Sequence, residues 1–291
     1  MHRFFSTTII RCCRFIPAKL RRLLFTIVAL SYYQLFPRHR LIALYNLKVS
    51  FPEKDIAETI AIAKRVYRNI ALVGAEIFDI PTLTADNIND IVEVEGLENC
   101  RRALEKGRGI LLFSAHFGNW ELSAAALSFL LQPLVVVYRP LDNAVLDDMI
   151  LQLRSATGNT LLPKARAMRQ MLHYLQKNRI VGILIDQNMA RQEGVFITYF
   201  SRIACTSDAV AQLALRTKAA VIPSFALRIP GGKYRLIIGK AMKTIETGDW
   251  EADVLVNTQN YTKAVEAMVR KYPDQWLWVH HRWKTKPWQV N

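Results

Sequence analysis

An α/β fold with a mixed central sheet flanked by helices, led by an N-terminal membrane-associating helix, is predicted by three features of this chain. From Gly109 onward short apolar runs alternate with helical periodicity, as strands covered by helices require. Two of these runs are joined through Pro230-Gly-Gly, a hairpin signal that makes the sheet mixed rather than purely parallel. Ahead of them no acidic residue occurs before Glu53, while basic residues bracket an apolar segment.

Taken in chain order, that leading segment comes first. Arg3, Arg11, Arg14, Lys19, Arg21, Arg22, Arg38, Arg40 and Lys48 surround the apolar run 23–36, which contains Tyr32, Tyr33 and Gln34. The run is shorter than the roughly 20 residues of a spanning helix. With Leu20 and snorkelling arginines it reaches partway, or crosses where the bilayer thins. A core helix of a soluble protein is the alternative. The coincidence of apolar helix, aromatic pair and unbroken basic flanks points to membrane attachment. We divide the chain into a basic N-terminal anchor over residues 1–40 and one domain over 41–291.

Residues 55–79 read as one amphipathic helix. Asp55 is its N-cap with Glu58 at N3, and Ile56, Ile60, Ala63, Val66, Tyr67, Ile70, Val73 and Ile77 recur at helical spacing until Pro81 ends it. The alternation Val92-Glu-Val-Glu reads as an edge strand. Strands follow at 110–114, 134–138, 180–185, 195–199, 220–227 and 234–238, and helices at 120–131, 144–155, 165–177, 208–217 and 252–272.

Composition narrows the function. The 291 residues can bury one large core or two modest ones, and the net charge of +15 calls for anionic partners: nucleic acid, a lipid surface or an acidic carrier protein. Cys12, Cys13, Cys100 and Cys205 have no metal-ligand or disulfide-framework spacing and read as reduced. HExxH, P-loop, GxSxG and GxGxxG patterns do not occur.

The candidate site begins at His116-Phe-Gly-Asn-Trp-Glu121, where a buried strand gives way to a helix. On a continuous helix, positions five apart diverge by about 140°. Bent at Gly118, with Asn119 as N-cap, the chain can instead return the imidazole to Glu121, which would hold one ring nitrogen and leave the other as general base. A buried histidine bonded to a carbonyl is the equally weighted alternative. Arg139, held extended by Pro140, and Asp186-Gln187 follow other strand ends. Arg139 suits a phosphate or an oxyanion, and Asp186 would pair with Arg139 or position the nucleophile. His280, His281, Arg282 and Lys284 sit among Trp276, Trp278, Trp283 and Trp288, as at a lipid interface, a base-stacking surface or a packed C-terminal segment.

Together these residues resemble the lysophospholipid acyltransferase superfamily and, within it, the lipid A biosynthesis late acyltransferases. The likeness runs from about Asn46-Leu-Lys-Val-Ser-Phe-Pro52 to Trp283-Lys-Thr285. His116 and Glu121 match the HX4D/E box, written HFGNWE in this branch. Tyr138-Arg-Pro-Leu-Asp-Asn143 matches the arginine block, Asp186-Gln187 the third block, and Val221-Ile-Pro223 the proline block, and the segment 275–284 is equally typical. The N-terminal apolar segment is shorter and more interrupted by charge than is usual in this branch. The resemblance implies transfer of a fatty acyl group from acyl carrier protein to a hydroxyl of a lipid A precursor, at the cytoplasmic face of the inner membrane. His116 would be the base and Glu121 its partner. Arg139, Asp186, Gln187 and Asn119 would bind substrate, with no metal, no cofactor and no nucleic-acid partner. Another acceptor lipid is the alternative, such as a phosphatidylinositol mannoside, a lysophospholipid or an aminolipid. A non-catalytic basic module for membrane or nucleic acid is the remote one.

Overall fold

The structure is a computed structural model that describes residues 2–165 and 167–288. Three helices open it, α1 (His2–Phe15), α2 (Ala18–Leu35) and α3 (Pro37–Ser50), and α2 packs along α4 (Ile56–Glu76) with Tyr33 edge-on to Tyr67. Asp55 caps α4 as expected, its carboxylate accepting from Glu58 N at 2.7 Å. Arg21 of α2 is buried but fully used: it donates to Ala75 O, Cys13 O and Ile16 O and pairs with Asp79. The expected boundary at residue 40 falls inside α3.

A short helix α5 (Ile88–Ile91) leads into β1 (Val92–Glu95) and α6 (Leu97–Leu104). Then come β2 (Ile110–Ser114), α7 (Trp120–Leu130), β3 (Val135–Tyr138), α8 (Ala144–Ser155), β4 (Thr160–Pro163), α9 (Ala167–Gln176) and β5 (Ile180–Leu184). Arg166, inside the helix expected at 165–177, lies outside the described residues. The chain continues through β6 (Val195–Tyr199), β7 (Arg202–Thr206), α10 (Ala209–Thr217), β8 (Ala220–Arg228), β9 (Tyr234–Ile238) and α11 (Trp250–Lys271).

The main sheet has seven strands in the order β1-β9-β8-β2-β5-β3-β4, parallel throughout except between β8 and β9. That exception is the hairpin read at Pro230-Gly-Gly, where Gly231 and Gly232 both take positive φ. One face of the sheet is covered by α9, α10, α11 and α4, the other by α7, α8 and α6, and each side has its own apolar core.

One expectation is corrected, one strand is added, and one choice left open by the sequence is decided. The 195–199 strand leaves the main sheet and forms an antiparallel ribbon with β7, an element the sequence pattern did not reveal. The turn between them, Phe200-Ser201, has positive φ at both residues, the geometry usually supplied by Asn-Gly. β4, four residues ending in a proline, also escaped notice at the sheet edge. Finally, the aromatic C-terminal segment is packed into the protein. Trp276, Trp278 and Trp283 are buried, and the buried Arg282 donates to Cys205 O and Thr206 Oγ1 while stacking over Tyr199. Trp288 is exposed. Among the described residues no helix is long and apolar enough to cross a membrane.

Candidate active site

The site is built around the end of β2. After Ser114 the chain turns sharply, and Gly118 takes φ +58° against the backbone of β8; a β-carbon there would lie 1.8 Å from Ala226 O. The turn is clamped on both sides, by Asn119 N to Ala226 O, Gly118 N to Gln275 O and Leu277 N to His116 O. Asn119 then caps α7, its Oδ1 accepting from Leu122 N at 3.0 Å. His116 is thereby fixed at the carboxyl edge of a central strand, where open α/β sheets present reactive groups.

The neighbour that braces His116 is Asp186. β2 and β5 run parallel with Ser114 beside Leu184, so the second residue beyond each strand also comes alongside. His116 Nδ1 lies 2.9 Å from Asp186 Oδ1, and the His116 backbone N–H donates to Oδ2 at 2.9 Å. Trp276 Nε1 donates to the same Oδ2 at 2.7 Å. Burial works to raise the carboxyl pKa of Asp186, but His116 and the three donated hydrogen bonds overcome it and hold it down at about 2. A carboxylate on Nδ1 fixes that nitrogen as the protonated one, which leaves Nε2 free to accept a proton.

Glu121 does something else, and the expectation that it holds the imidazole is corrected. Its carboxylate takes a bidentate pair from Arg154 of α8, Nε to Oε2 at 2.8 Å and Nη2 to Oε1 at 2.6 Å, plus the Trp120 indole N–H at 2.8 Å. The guanidinium fork matches a carboxylate better than a single imidazole nitrogen does, and the first turn of α7 aims Glu121 at α8. Burial opposes the charge on Arg154, yet Glu121 more than offsets it and raises the guanidinium pKa. Trp120 separates the two systems, lying edge-to-face against His116 with ring centroids 5.3 Å apart.

Two substrate-binding expectations are corrected as well. Asn119 is buried at 2% exposure, with Oδ1 spent on the cap and Nδ2 donating to Glu76. Asp186 is likewise committed to His116 and Trp276 rather than to Arg139. Arg139 and Gln187, together with His116, Glu121 and Arg154, line one cavity of about 870 Å³. It opens at the carboxyl edge of β2, β3 and β5 and extends along both faces of the sheet. On the α7 side it is walled by Leu112, Ala125, Leu127, Leu134 and Ile150, and on the α9 side by Met168, Met171 and Ile183. The split is built into the strands: β3 and β5 pair only at Val135–Val181 and Val136–Gly182 before parting.

Sequence reasoning missed Arg154 and the bracing roles of Asp186 and Trp276. Arg154 stood in the last turn of its helix, where a basic residue is explained by the dipole alone. His280, the other histidine of interest near the site, is pushed down to about 4 by burial and so stays neutral above that pH. Among the described residues no cluster of three or more His, Cys, Asp or Glu side chains is arranged to hold a metal ion.

A family model described as bacterial lipid A biosynthesis acyltransferase matches residues 1–285. The chain is 30% identical over 247 residues to the lipid A biosynthesis lauroyltransferase of Escherichia coli (strain K12), covering 83% of this chain and 78% of that one. It is 25% identical over 252 residues to the palmitoleoyltransferase of the same organism, covering 86% and 80%. It is also 23% identical over 212 residues to the phosphatidylinositol mannoside acyltransferase of Mycolicibacterium smegmatis, covering 72% and 67%.

Proposed function

From the premise that this chain belongs to the bacterial lipid A biosynthesis acyltransferase family, and so is an acyltransferase, we propose that it moves a fatty acyl group from an acyl carrier protein thioester to a hydroxyl of a lipid A precursor. The observation that carries this reading is an imidazole oriented by a buried carboxylate at the mouth of a largely apolar cavity.

In this mechanism His116 Nε2 takes the proton of the acceptor hydroxyl as its oxygen attacks the thioester carbonyl. The tetrahedral intermediate collapses, the carbon–sulfur bond breaks, and the proton passes from the imidazolium to the departing thiolate. Asp186 acts through His116: it holds the tautomer and stabilises the transient positive charge. Glu121 acts through Arg154 and Trp120, fixing the cavity wall beside the imidazole. Arg139, exposed at the cavity rim, supplies positive charge for a phosphate of the acceptor, and Gln187 a polar contact beside it.

The same reading attaches the enzyme to the cytoplasmic face of the inner membrane through its N-terminal helices. Phe4, Phe5 and Phe15 of the α1 segment and Leu23, Ile27 and Val28 of α2 are exposed, among basic residues and no acidic ones. An anionic lipid surface complements such a face. α1 also packs on α8, which carries Arg154 and Ile150 of the cavity wall, so an attached α1 keeps the cavity beside the lipid. Acyl carrier proteins are acidic, and the net charge of +15 favours them too.

The test is acyl transfer by purified protein from acyl carrier protein thioesters to a defined lipid A precursor. His116→Ala is expected to slow it by about 10²–10⁴-fold, the usual contribution of a general base, with the fold retained. Wild-type transfer by that variant sinks the proposal. The likeness to a phosphatidylinositol mannoside acyltransferase supports a second reading, a different glycolipid acceptor. Mass spectrometry of lipids from cells with and without the protein separates the two.

A further inference from the structure

Gly182 is the one glycine inside a strand among the described residues, and its backbone does not require it. Its φ is not positive, and an added β-carbon would meet only ordinary contacts: 3.7 Å to Leu134 Cδ2, 4.0 Å to Val135 O and 4.0 Å to Val136 Cγ2. A glycine in a strand interior gives up packing and chain stiffness, so an unforced one marks a place where something else approaches the backbone.

What approaches is read from the rows across the sheet. At the top, Ser114 stands beside Leu184, level with the cavity mouth. One row lower Leu112 and Val136 flank Gly182, two large side chains with a gap between them. Below that, Ile110, Ile180 and Leu134 are all fully buried and close the floor. Side chains alternate along β5, so Gly182 shares its face with Ile180 and opens toward α7. The gap therefore belongs to the α7-side lobe of the cavity, which the Glu121–Arg154 pair also lines and whose depth from Tyr138 to Leu134 is about 13 Å at 3.3 Å per residue.

The floor is held rigidly. Asn159, buried, accepts from Leu134 N at 2.8 Å and donates to Ala124 O at 3.0 Å, tying the start of β3 to the middle of α7. Leu127, buried beside Leu134 on the same wall, completes it. A closed end of this kind reads where an entering chain stops.

We propose that Gly182 is a specificity-determining residue: the space left by its missing side chain receives the distal end of the donor acyl chain and sets the longest chain transferred. This rests on the acyltransferase reading above. A residue that limits chain length shows in the ratio between donors rather than in one rate.

Purified wild-type, Gly182→Val and Leu127→Ala proteins are assayed with acyl carrier protein thioesters from decanoyl to palmitoyl and a lipid A precursor. The readout is kcat/KM for the longest donor that the wild type accepts, divided by that for decanoyl. Valine fills the space of about three methylenes, each worth about fourfold in binding, so Gly182→Val should lower the ratio by about 10–60-fold. Leu127→Ala, which deepens the floor, should raise it. A Gly182→Val ratio within twofold of wild type, with transfer intact, overturns the inference and leaves the acyltransferase reading standing. Absence of transfer by the wild type overturns both. If Gly182→Val does not fold, Gly182→Ala, whose β-carbon the structure accommodates, carries the same test with a shift of about threefold to fourfold, and an unchanged ratio there overturns the inference equally.

Discussion

Asp186 at the strand edge and Glu121 at the helix interface both bury a negative charge against a partner, but they reach it by different routes. Asp186 meets His116 because two parallel strands in register run out side by side. Glu121 meets Arg154 because α7 and α8 face each other, so its pairing depends on how two helices dock. The carboxylate near His116 in sequence is therefore not the one on its ring. The difference teaches that a motif spaced along the chain can serve two places, with its histidine braced at a strand edge and its carboxylate paired in the wall beside it.

That contrast can be broken by substitution. The largest effect after His116→Ala is expected at the helix interface, on stability. Arg154→Met leaves the Glu121 carboxylate buried without its partner and should cost about 3–5 kcal/mol in denaturant unfolding, whereas the double variant with Glu121→Gln should recover much of it. Recovery that does not occur would mean that the two charges are not acting as a pair. Next comes Asp186→Asn, expected to lower kcat by about 10²-fold while KM moves little, because the imidazole loses its preferred tautomer. A change confined to KM would return Asp186 to substrate binding.

The same residue gives a pH signature. Its folded-state pKa, about 2, lies below the ordinary carboxylate value of about 4, so its stabilisation is complete above about pH 4 and fades as pH falls through 2. Asp186→Asn should therefore be less stable than wild type by on the order of 2 kcal/mol at neutral pH, with the difference closing below pH 3. A gap that is undiminished at pH 2 would trace the loss to packing instead. The smallest effect is expected from Trp276→Phe, which removes one donor to Asp186 and keeps the ring. About 1.5 kcal/mol is expected from the lost bond to a charged group, with turnover reduced only a few-fold.

The same division explains what could be read from the chain. The end of β2, the bend at Gly118 and the Asn119 cap were legible because each is a local matter: an apolar run, a glycine, a side chain that accepts from a backbone N–H three residues on. The β6–β7 ribbon was not, because its turn uses Phe200 and Ser201 at positive φ, and Phe200 is held there by Phe51, Trp278 and Arg270 from distant segments. The buried tryptophans of the C-terminal segment were legible only as an aromatic cluster. Their direction, into the core with Trp276 on Asp186, depends on contacts with residues 90 positions away.

By itself, then, the sequence determined the fold class, the family and the place of His116 at a strand end, since periodicity, turn residues and a local motif depend on near neighbours along the chain. Strand order belonged to the tertiary structure alone. β3 lies between β2 and β5 in the sequence, yet β5 inserts between β2 and β3 in the sheet. That insertion seats Asp186 against His116 and leaves the Gly182 gap between Leu112 and Val136, because lateral neighbours in a parallel sheet are chosen by long-range crossovers that local patterns do not encode.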